Sequence, residues 1–370
     1  MVYDVAIVGG GPAGTAAALT LLQHTSLNVV VFERTDYSGL RIGETVPMSL
    51  GPLLTYLGVW KRFVNEQHLQ SYSTAAAWGE PEPSALDFRF SGYGIGWHID
   101  RQRFDVMMAE EVERSGGRLE RNTTVVRATR EEDAWLLKAI QHNGEELQVG
   151  ARYVIDASGR EATIARQLGA DLRVFDRLTS VMGCFTFEDS IERPPYTLIE
   201  ACPSGWWYSA LLPGQRIVAA WMSDSDLIEA GREQSLDGWL ARLSEAPYTK
   251  ARLAGARFDG LLAPQALGSQ SLNTAVGDGW VAAGDAASVF DPLSSMGLGH
   301  AISSGVHAAR VADAALDGDE TVGDEYNASI DRIVETYTEL CQRHYSYEQR
   351  WQNQPFWARR HATIALEYAA

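Results

Sequence analysis

Gly9, Gly11 and Gly14, with Glu33 nineteen residues beyond the last of them, are the residues whose types and spacing do recognisable chemistry. The glycines fill a G-x-G-x-x-G pattern. The first permits a tight turn, the second lets backbone approach a pyrophosphate, and the third lets a helix pack closely on a strand. Pro12 and Ala13 open that helix, whose free N-terminal amides suit an anion. An acidic side chain at Glu33, followed by Arg34, is placed to accept from the ribose hydroxyls of an adenosine. The elements that must position these groups surround them. "YDVAIV" reads as an apolar strand, "PAGTAAALTLLQ" as a small-residue helix and "LNVVVFER" as a second strand. A bound dinucleotide is therefore expected.

The chain has 370 residues, 45% of them hydrophobic, enough for one large domain or two intermeshed ones. No apolar run reaches membrane-spanning length, and the first residues enter a strand pattern directly, so a cytoplasmic protein with no membrane segment is expected. The net charge of −17 argues against nucleic acid as a partner, because phosphate binding needs concentrated positive charge. Cys184, Cys202 and Cys341 lie far apart without metal-ligand spacing, so reduced thiols and no metal are expected. Only Lys61, Lys138 and Lys250 supply lysine.

Two later segments narrow the dinucleotide. "ARYVIDASGREATIARQLG" is a strand followed by a small-residue turn at Ala157, Ser158 and Gly159. "DGWVAAGDAASVFDPLSSMGLGHAISSGVHAARVA" is a strand, a turn bearing Gly284 and Asp285, a loop and a long helix. Both resemble flavoproteins built like aromatic hydroxylases, flavin-dependent halogenases and geranylgeranyl reductases. That resemblance implies FAD as cofactor and assigns Asp285 to its ribityl chain. It also implies that Pro292, Ser295, Met296, Gly297 and Leu298 bring amides and a helix N-terminus to the flavin's pyrimidine edge, where reduced flavin carries negative charge. Arg101, in "DRQRFD", matches an arginine near the pyrophosphate or ribityl chain, and the Val125 region would touch the adenine through its backbone. No second glycine triplet marks a separate pyridine-nucleotide module.

The expected fold class is α/β: an FAD-binding Rossmann-type domain of the aromatic-hydroxylase (GR2) kind, carrying an inserted antiparallel β-sheet and followed by C-terminal helices. The flavin domain is expected to be discontinuous, over residues 1–74, 96–172 and 260–315. Residues 75–95 and 173–259 form the inserted substrate domain, with its strand-like alternation and dense aromatics, and residues 316–370 the C-terminal helical segment. Trp206 and Trp207 offer an aromatic wall for a substrate pocket, or else sheet core. His300 follows the flavin loop and reads either as a proton relay or as a helix-packing side chain.

"RIGETVPMSL" resembles the segment that flavin-dependent tryptophan halogenases carry after their second strand, and "YEQRWQNQPFWARR" resembles their closing helices. The resemblance places Arg41, Gly43, Glu44 and Thr45 beside the isoalloxazine or the pyrophosphate, with Glu44 a candidate acid or base; a helix cap at Glu44 and Thr45 is compatible with this. Two departures count against halogenation. The halogenase lysine has no counterpart between Lys61 and Lys138, and the W-x-W-x-I-P signature has no match.

What remains is hydroxylation of an electron-rich aromatic ring through a flavin C4a-hydroperoxide, with the protein excluding water. The chain resembles the LodB-like and GoxB-like flavoproteins, which mature cysteine tryptophylquinone in amino-acid oxidases. This implies a protein substrate, a quinoprotein oxidase precursor whose tryptophan is hydroxylated. NAD(P)H or a separate flavin reductase would supply electrons. A monooxygenase of a free indole or phenol shares every cofactor motif. An isoprenoid reductase or a non-catalytic FAD-binding accessory protein are the other readings.

Overall fold

The computed structural model describes residues 2–39, 45–47, 49–88, 95–132, 134–228 and 234–367. Its first sheet grows from strand Val2–Val8, whose last four residues are buried. That strand pairs in parallel with Val29–Phe32 on one side and Glu146–Asp156 on the other. The sheet continues outward through Arg118–Glu120 at one end and through Trp280–Ala282 and Val276–Gly277 at the other. Strands Thr123–Glu131 and Ala134–Gln141 form an antiparallel hairpin that leans on Glu146–Asp156. Central strands read as unbroken apolar runs because both their faces are buried.

Helix Pro12–His24 buries Ala13, Gly14, Ala16, Ala17 and Ala18 along with larger side chains. Small residues are required, because helix Gly297–Leu316 passes close by. A Cβ on Gly305 would stand 2.2 Å from the Ala13 carbonyl oxygen. Contact at that distance is possible only for glycine.

The second sheet has seven strands in the order Ala256–Ala266, Leu178–Phe187, Arg216–Asp224, Gly205–Leu212, Tyr196–Cys202, Ser73–Ala77 and Ser84–Asp87. It departs from expectation twice. One pair, Tyr196–Cys202 with Ser73–Ala77, is parallel. The sheet also claims residues 73–74 and 260–266, because strand Ala256–Ala266 crosses irregular register around Gly260 and goes on to pair Thr179 with Ala266. Gly260, Leu261 and Leu262 absorb that irregularity with φ values of +135°, +89° and +77°.

Both faces of this sheet are covered. On one, Trp207, Trp221 and Phe185 pack against Trp239 of helix Leu236–Leu243. On the other, Trp206, Met182 and Met222 pack against Tyr345, Phe356 and Trp357. Those last three come from helices Thr321–Ser346 and Pro355–Glu367 or their junction. Among the described residues no helix is long and apolar enough to cross a membrane, and no group of three His, Cys, Asp or Glu side chains is arranged to hold a metal.

Candidate functional site

The glycine turn is built as its spacing requires. Gly9 has φ +109°, and a Cβ there would lie 2.1 Å from the Ala157 carbonyl oxygen; one on Gly14 would lie 1.9 Å from the Gly9 oxygen. Gly11 is different, since a Cβ there meets nothing within 4 Å. Gly11 is the N-cap of helix Pro12–His24, whose free N-terminal amides suit an anion.

Glu33 is buried and braces the turn. Its Oε2 accepts from the Gly10 amide at 2.9 Å, and its Oε1 accepts from the Thr35 amide at 3.0 Å and the Thr35 hydroxyl at 2.5 Å. Tyr37 closes the ring by donating to the Gly10 carbonyl at 2.9 Å. Arg34 is exposed. The Thr123 amide donates to the Glu33 carbonyl at 2.8 Å, which brings the strand carrying buried Val125 alongside.

The turn at Ala157, Ser158 and Gly159 hangs on a residue that the motif reading passed over. Asp156 is fully buried, and its carboxylate accepts from the amides of Ser158, Ile164 and Ala165 at 2.9, 2.9 and 2.8 Å. Burial raises its pKa, and these donors oppose the rise. Ala157 donates to the Val8 carbonyl at 2.8 Å, and Gly159 takes φ +81°.

Asp285 follows Gly284, whose amide donates to the Ser304 hydroxyl at 2.8 Å. Burial raises the Asp285 pKa, while Arg160 and Arg101 pull it back. Arg101 is held in a fork by Asp105, with both contacts at 3.3 Å. Arg160 was not singled out by the motif reading. Its Nη2 donates to the Gly268 carbonyl at 2.7 Å and to Gln270 Oε1 at 3.2 Å, but its buried Nη1 has no partner among the described residues. An orphaned guanidinium nitrogen beside Asp285, with open space at Gly11, fits an anionic dinucleotide.

The loop after Asp285 is tied down from behind. Asp291 Oδ1 accepts from the Leu293 amide at 2.8 Å, and its Oδ2 accepts from the Tyr345 hydroxyl at 2.6 Å. Its own amide donates to Tyr337 Oη at 2.6 Å, and Tyr337 in turn meets Ser269 Oγ at 2.8 Å. Burial pushes the Asp291 carboxyl up to about 6, against the pull of Tyr345 and the Leu293 amide. This clamp leaves Pro292 and Met296 half-buried and Ser295 and Gly297 exposed, while Leu298 anchors the helix inside. Ser295 takes φ +52°, and no described atom approaches the Cβ positions of Gly297 or Gly299 within 4 Å. A twenty-residue helix thus presents a bare N-terminus.

Three expectations need correction or relocation. His300 does not stand free to relay protons: it is buried, its Nε2 meets Ser288 Oγ at 3.0 Å, its ring lies edge-on to Phe290 at 4.9 Å, and burial pushes it down to about 4. Trp206 and Trp207 do not line an open pocket. Alternation sends them to opposite, covered faces; Trp207 meets Trp239 at 4.8 Å, and Trp206 Nε1 donates to the Tyr345 hydroxyl at 3.1 Å. Arg41, Gly43 and Glu44 lie outside the described residues.

Thr45 is described, and it reaches the second sheet. Its hydroxyl lies 2.7 Å from Tyr208 Oη and 3.1 Å from Thr197 Oγ1, which is itself 3.0 Å from His98 Nε2. Burial, with the Arg252 cation assisting, pushes His98 down to about 4. Thr45 and His98 are also paired in register. The segment entering the flavin side is therefore joined to the sheet by a chain of hydroxyls.

Comparison with known proteins agrees with this architecture. Residues 60–369 match the family model described as tryptophan halogenase, and residues 7–51 match an NAD(P)-binding Rossmann-like domain. The putative FAD-dependent oxidoreductase LodB of Marinomonas mediterranea is 32% identical, over 100% of this chain and 99% of that protein. The 1H-pyrrole-2-carbonyl-[peptidyl-carrier protein] brominase of Pseudoalteromonas luteoviolacea is 23% identical over 86% of this chain and 79% of its own. Among solved structures, the myxobacterial chondrochloren halogenase CndH superposes with a TM-score of 0.89 at 23% identity, covering 97% of this chain and 86% of that one. QhpG, a peptidyl tryptophan dihydroxylase essential for tryptophylquinone cofactor biogenesis, does so at 0.78 and 22%, covering 98% and 79%.

Proposed function

Because the chain belongs to the tryptophan halogenase family, we propose that it is an FAD-dependent monooxygenase that hydroxylates a tryptophan side chain of a precursor protein during cysteine tryptophylquinone biogenesis. It is a flavin oxidoreductase by kinship. Bound FAD, once reduced, supplies the activation of molecular oxygen. The glycine turn and Glu33 would hold the adenosine half, Asp285 with Arg160 and Arg101 the middle, and the amides that follow the clamped Asp291 the ring. The second sheet roofs the site and excludes water.

The observation that carries hydroxylation over halogenation is where the lysines lie. Lys61 and Lys250 are exposed on short helices, and Lys138 is ion-paired with Glu146 at 2.8 Å. None is among the described residues around Asp285, Thr45 or Asp291. QhpG, whose fold this chain shares, is a peptidyl tryptophan dihydroxylase, which supports a protein substrate. Electrons would come from NAD(P)H or from a separate flavin reductase.

The test is intact-mass spectrometry of an unmodified quinoprotein oxidase precursor after incubation with the FAD-loaded protein, a reductant, oxygen and bromide, with free indole alongside. A gain of one or two oxygens on the precursor alone is expected. Oxygen on the indole alone, or a bromine on either, overturns the reading.

A further inference from the structure

The three-stranded sheet Leu172–Val174, Gln270–Leu272 and Ser288–Val289 stands between the flavin side and the second sheet, and its first strand is an edge. Asn273 donates to the Asp171 carbonyl and Phe175 donates to the Ser269 carbonyl, both at 2.9 Å. Residues 171, 173 and 175 therefore face their partner strand. The alternation points the N–H and C=O groups of Leu172 and Val174 away from it, along a free edge. Val174 is 62% exposed and Phe175 52%. A bare edge with exposed apolar side chains is the kind of surface that proteins usually blunt.

This edge is the rim of a cavity of about 800 Å³. Exposed Val174, Phe175 and Arg177 line it together with Gln342, buried Tyr345 and buried Asp291, which begins the flavin loop. The charges are unevenly matched. Arg359 and Arg360 in the wall are neutralised by Asp224 and Asp226. Asp176 spends its carboxylate on the amides of Leu178 and Ser269. Arg173 and Arg177, which flank the two apolar side chains, are exposed and have no ion-pair partner within 4 Å among the described residues. In a chain with net charge −17, Arg173 and Arg177, the latter close enough to Asp226 to add to the lowering of its pKa by Arg359 but not ion-paired with it, put positive charge beside a free edge and favour an acidic ligand.

Resting on the reading of a protein substrate, we propose that residues 172–177 form its docking edge. An extended segment of the precursor carrying acidic and apolar side chains adds as a fourth strand to Leu172–Val174. Main-chain bonds give it grip, Phe175 and Val174 cover its apolar side chains, and Arg173 and Arg177 take its carboxylates. The edge borders a cavity lined by Asp291, Tyr337 and Tyr345, the clamp behind the flavin loop, so docking holds the client against the support of that loop.

The experiment measures binding of the fluorescently labelled, unmodified precursor to the FAD-loaded full chain, with hydrogen exchange on the complex and oxygenation followed by mass. Slowed exchange at Leu172 and Val174 is expected, with about tenfold weaker, salt-sensitive binding for Arg177→Glu. Val174→Pro, which removes an outward amide without breaking a native bond, should weaken binding similarly. A precursor bound and oxygenated, with no protection at 172–174 and full affinity for Arg177→Glu, overturns the docking edge and leaves the hydroxylase reading standing. Protection at 172–174 without oxygen gain keeps the edge and overturns the hydroxylase reading. No binding overturns both.

Discussion

Tyr345 and Asp291, 54 residues apart, share a 2.6 Å hydrogen bond that joins helix Thr321–Ser346 to the first residue of the flavin loop. Because Trp206 donates to the same hydroxyl, the tyrosine ties the second sheet to that loop as well. Tyr345→Phe removes the donor to a buried carboxylate and the acceptor of a buried indole. The expected cost is about 2–4 kcal/mol in unfolding free energy, with weakened FAD retention. Unchanged melting and full flavin occupancy would show the bond to be idle.

Asp291 also sets a pH dependence. Its folded value of about 6 lies above the ordinary aspartate value of 3.8, so the fold prefers the protonated acid. Its contribution is complete below pH 4 and fades as pH rises through 6. Relative to Asp291→Asn, the wild-type protein should lose roughly 2–3 kcal/mol between pH 4 and pH 7. Denaturant titrations of both proteins across that range measure it; parallel stability curves contradict it.

His98 and His300 act in the opposite sense. Burial holds both at about 4, below the ordinary 6.5, so each stabilises the fold fully above pH 6.5 and ceases to as pH falls through 4. Their contributions of up to about 3 kcal/mol each should vanish over that window. Nuclear magnetic resonance titration of the imidazoles gives the direct check: a midpoint above 6 for either ring would place it in water rather than in the core.

The glycines of the turn divide into two kinds. Gly14→Ala must push a Cβ into the Gly9 carbonyl and should destabilise the fold by about 3 kcal/mol or more. Gly11→Ala meets no described atom, so it should fold normally while FAD affinity falls. Thermal melting and flavin titration of the pair separate the two effects, and a Gly11→Ala protein with full FAD affinity would deny the phosphate its place there.

Glu33→Ala deletes the acceptor of Gly10 and Thr35 together with the proposed ribose contact. Loss of charge-assisted bonds predicts FAD binding weaker by roughly ten- to a hundredfold. Glu33→Gln, retaining one acceptor oxygen, should fall between. Equal occupancy in all three purified proteins would remove Glu33 from the site.

Features whose causes are local were readable in advance. Gly14 and Glu33 are constrained by strand, turn and helix within a few dozen residues, so spacing located them, whereas Gly9 is also pressed by the Ala157 carbonyl 148 positions away. Arg160 is a different case, since its partners Gly268 and Gln270 lie over 100 positions away and its orphaned nitrogen is visible only in space. Trp206 and Trp207 misled because an aromatic pair on a strand looks the same whether its faces are open or covered. The covers are Trp239 and Trp357, supplied by helices later in the chain. Asp156 is a local feature that was overlooked; an aspartate immediately before a small-residue turn and a helix is itself a capping signal.

The parallel pairing of Ser73–Ala77 with Tyr196–Cys202 bears on how the chain is made. A ribosome delivers the first of these strands well over a hundred residues before the second, and the sheet then waits for Ala256–Ala266 to cover Leu178–Phe187. The Rossmann half waits longer still, for Trp280–Ala282 and the helix Gly297–Leu316. Neither half can close before most of the chain has emerged. Assembly must be slow and late, dominated by distant contacts, and the nascent chain carries unpaired strand edges while it waits. Truncation anywhere before the closing helices should therefore yield an aggregating polypeptide rather than a smaller folded unit.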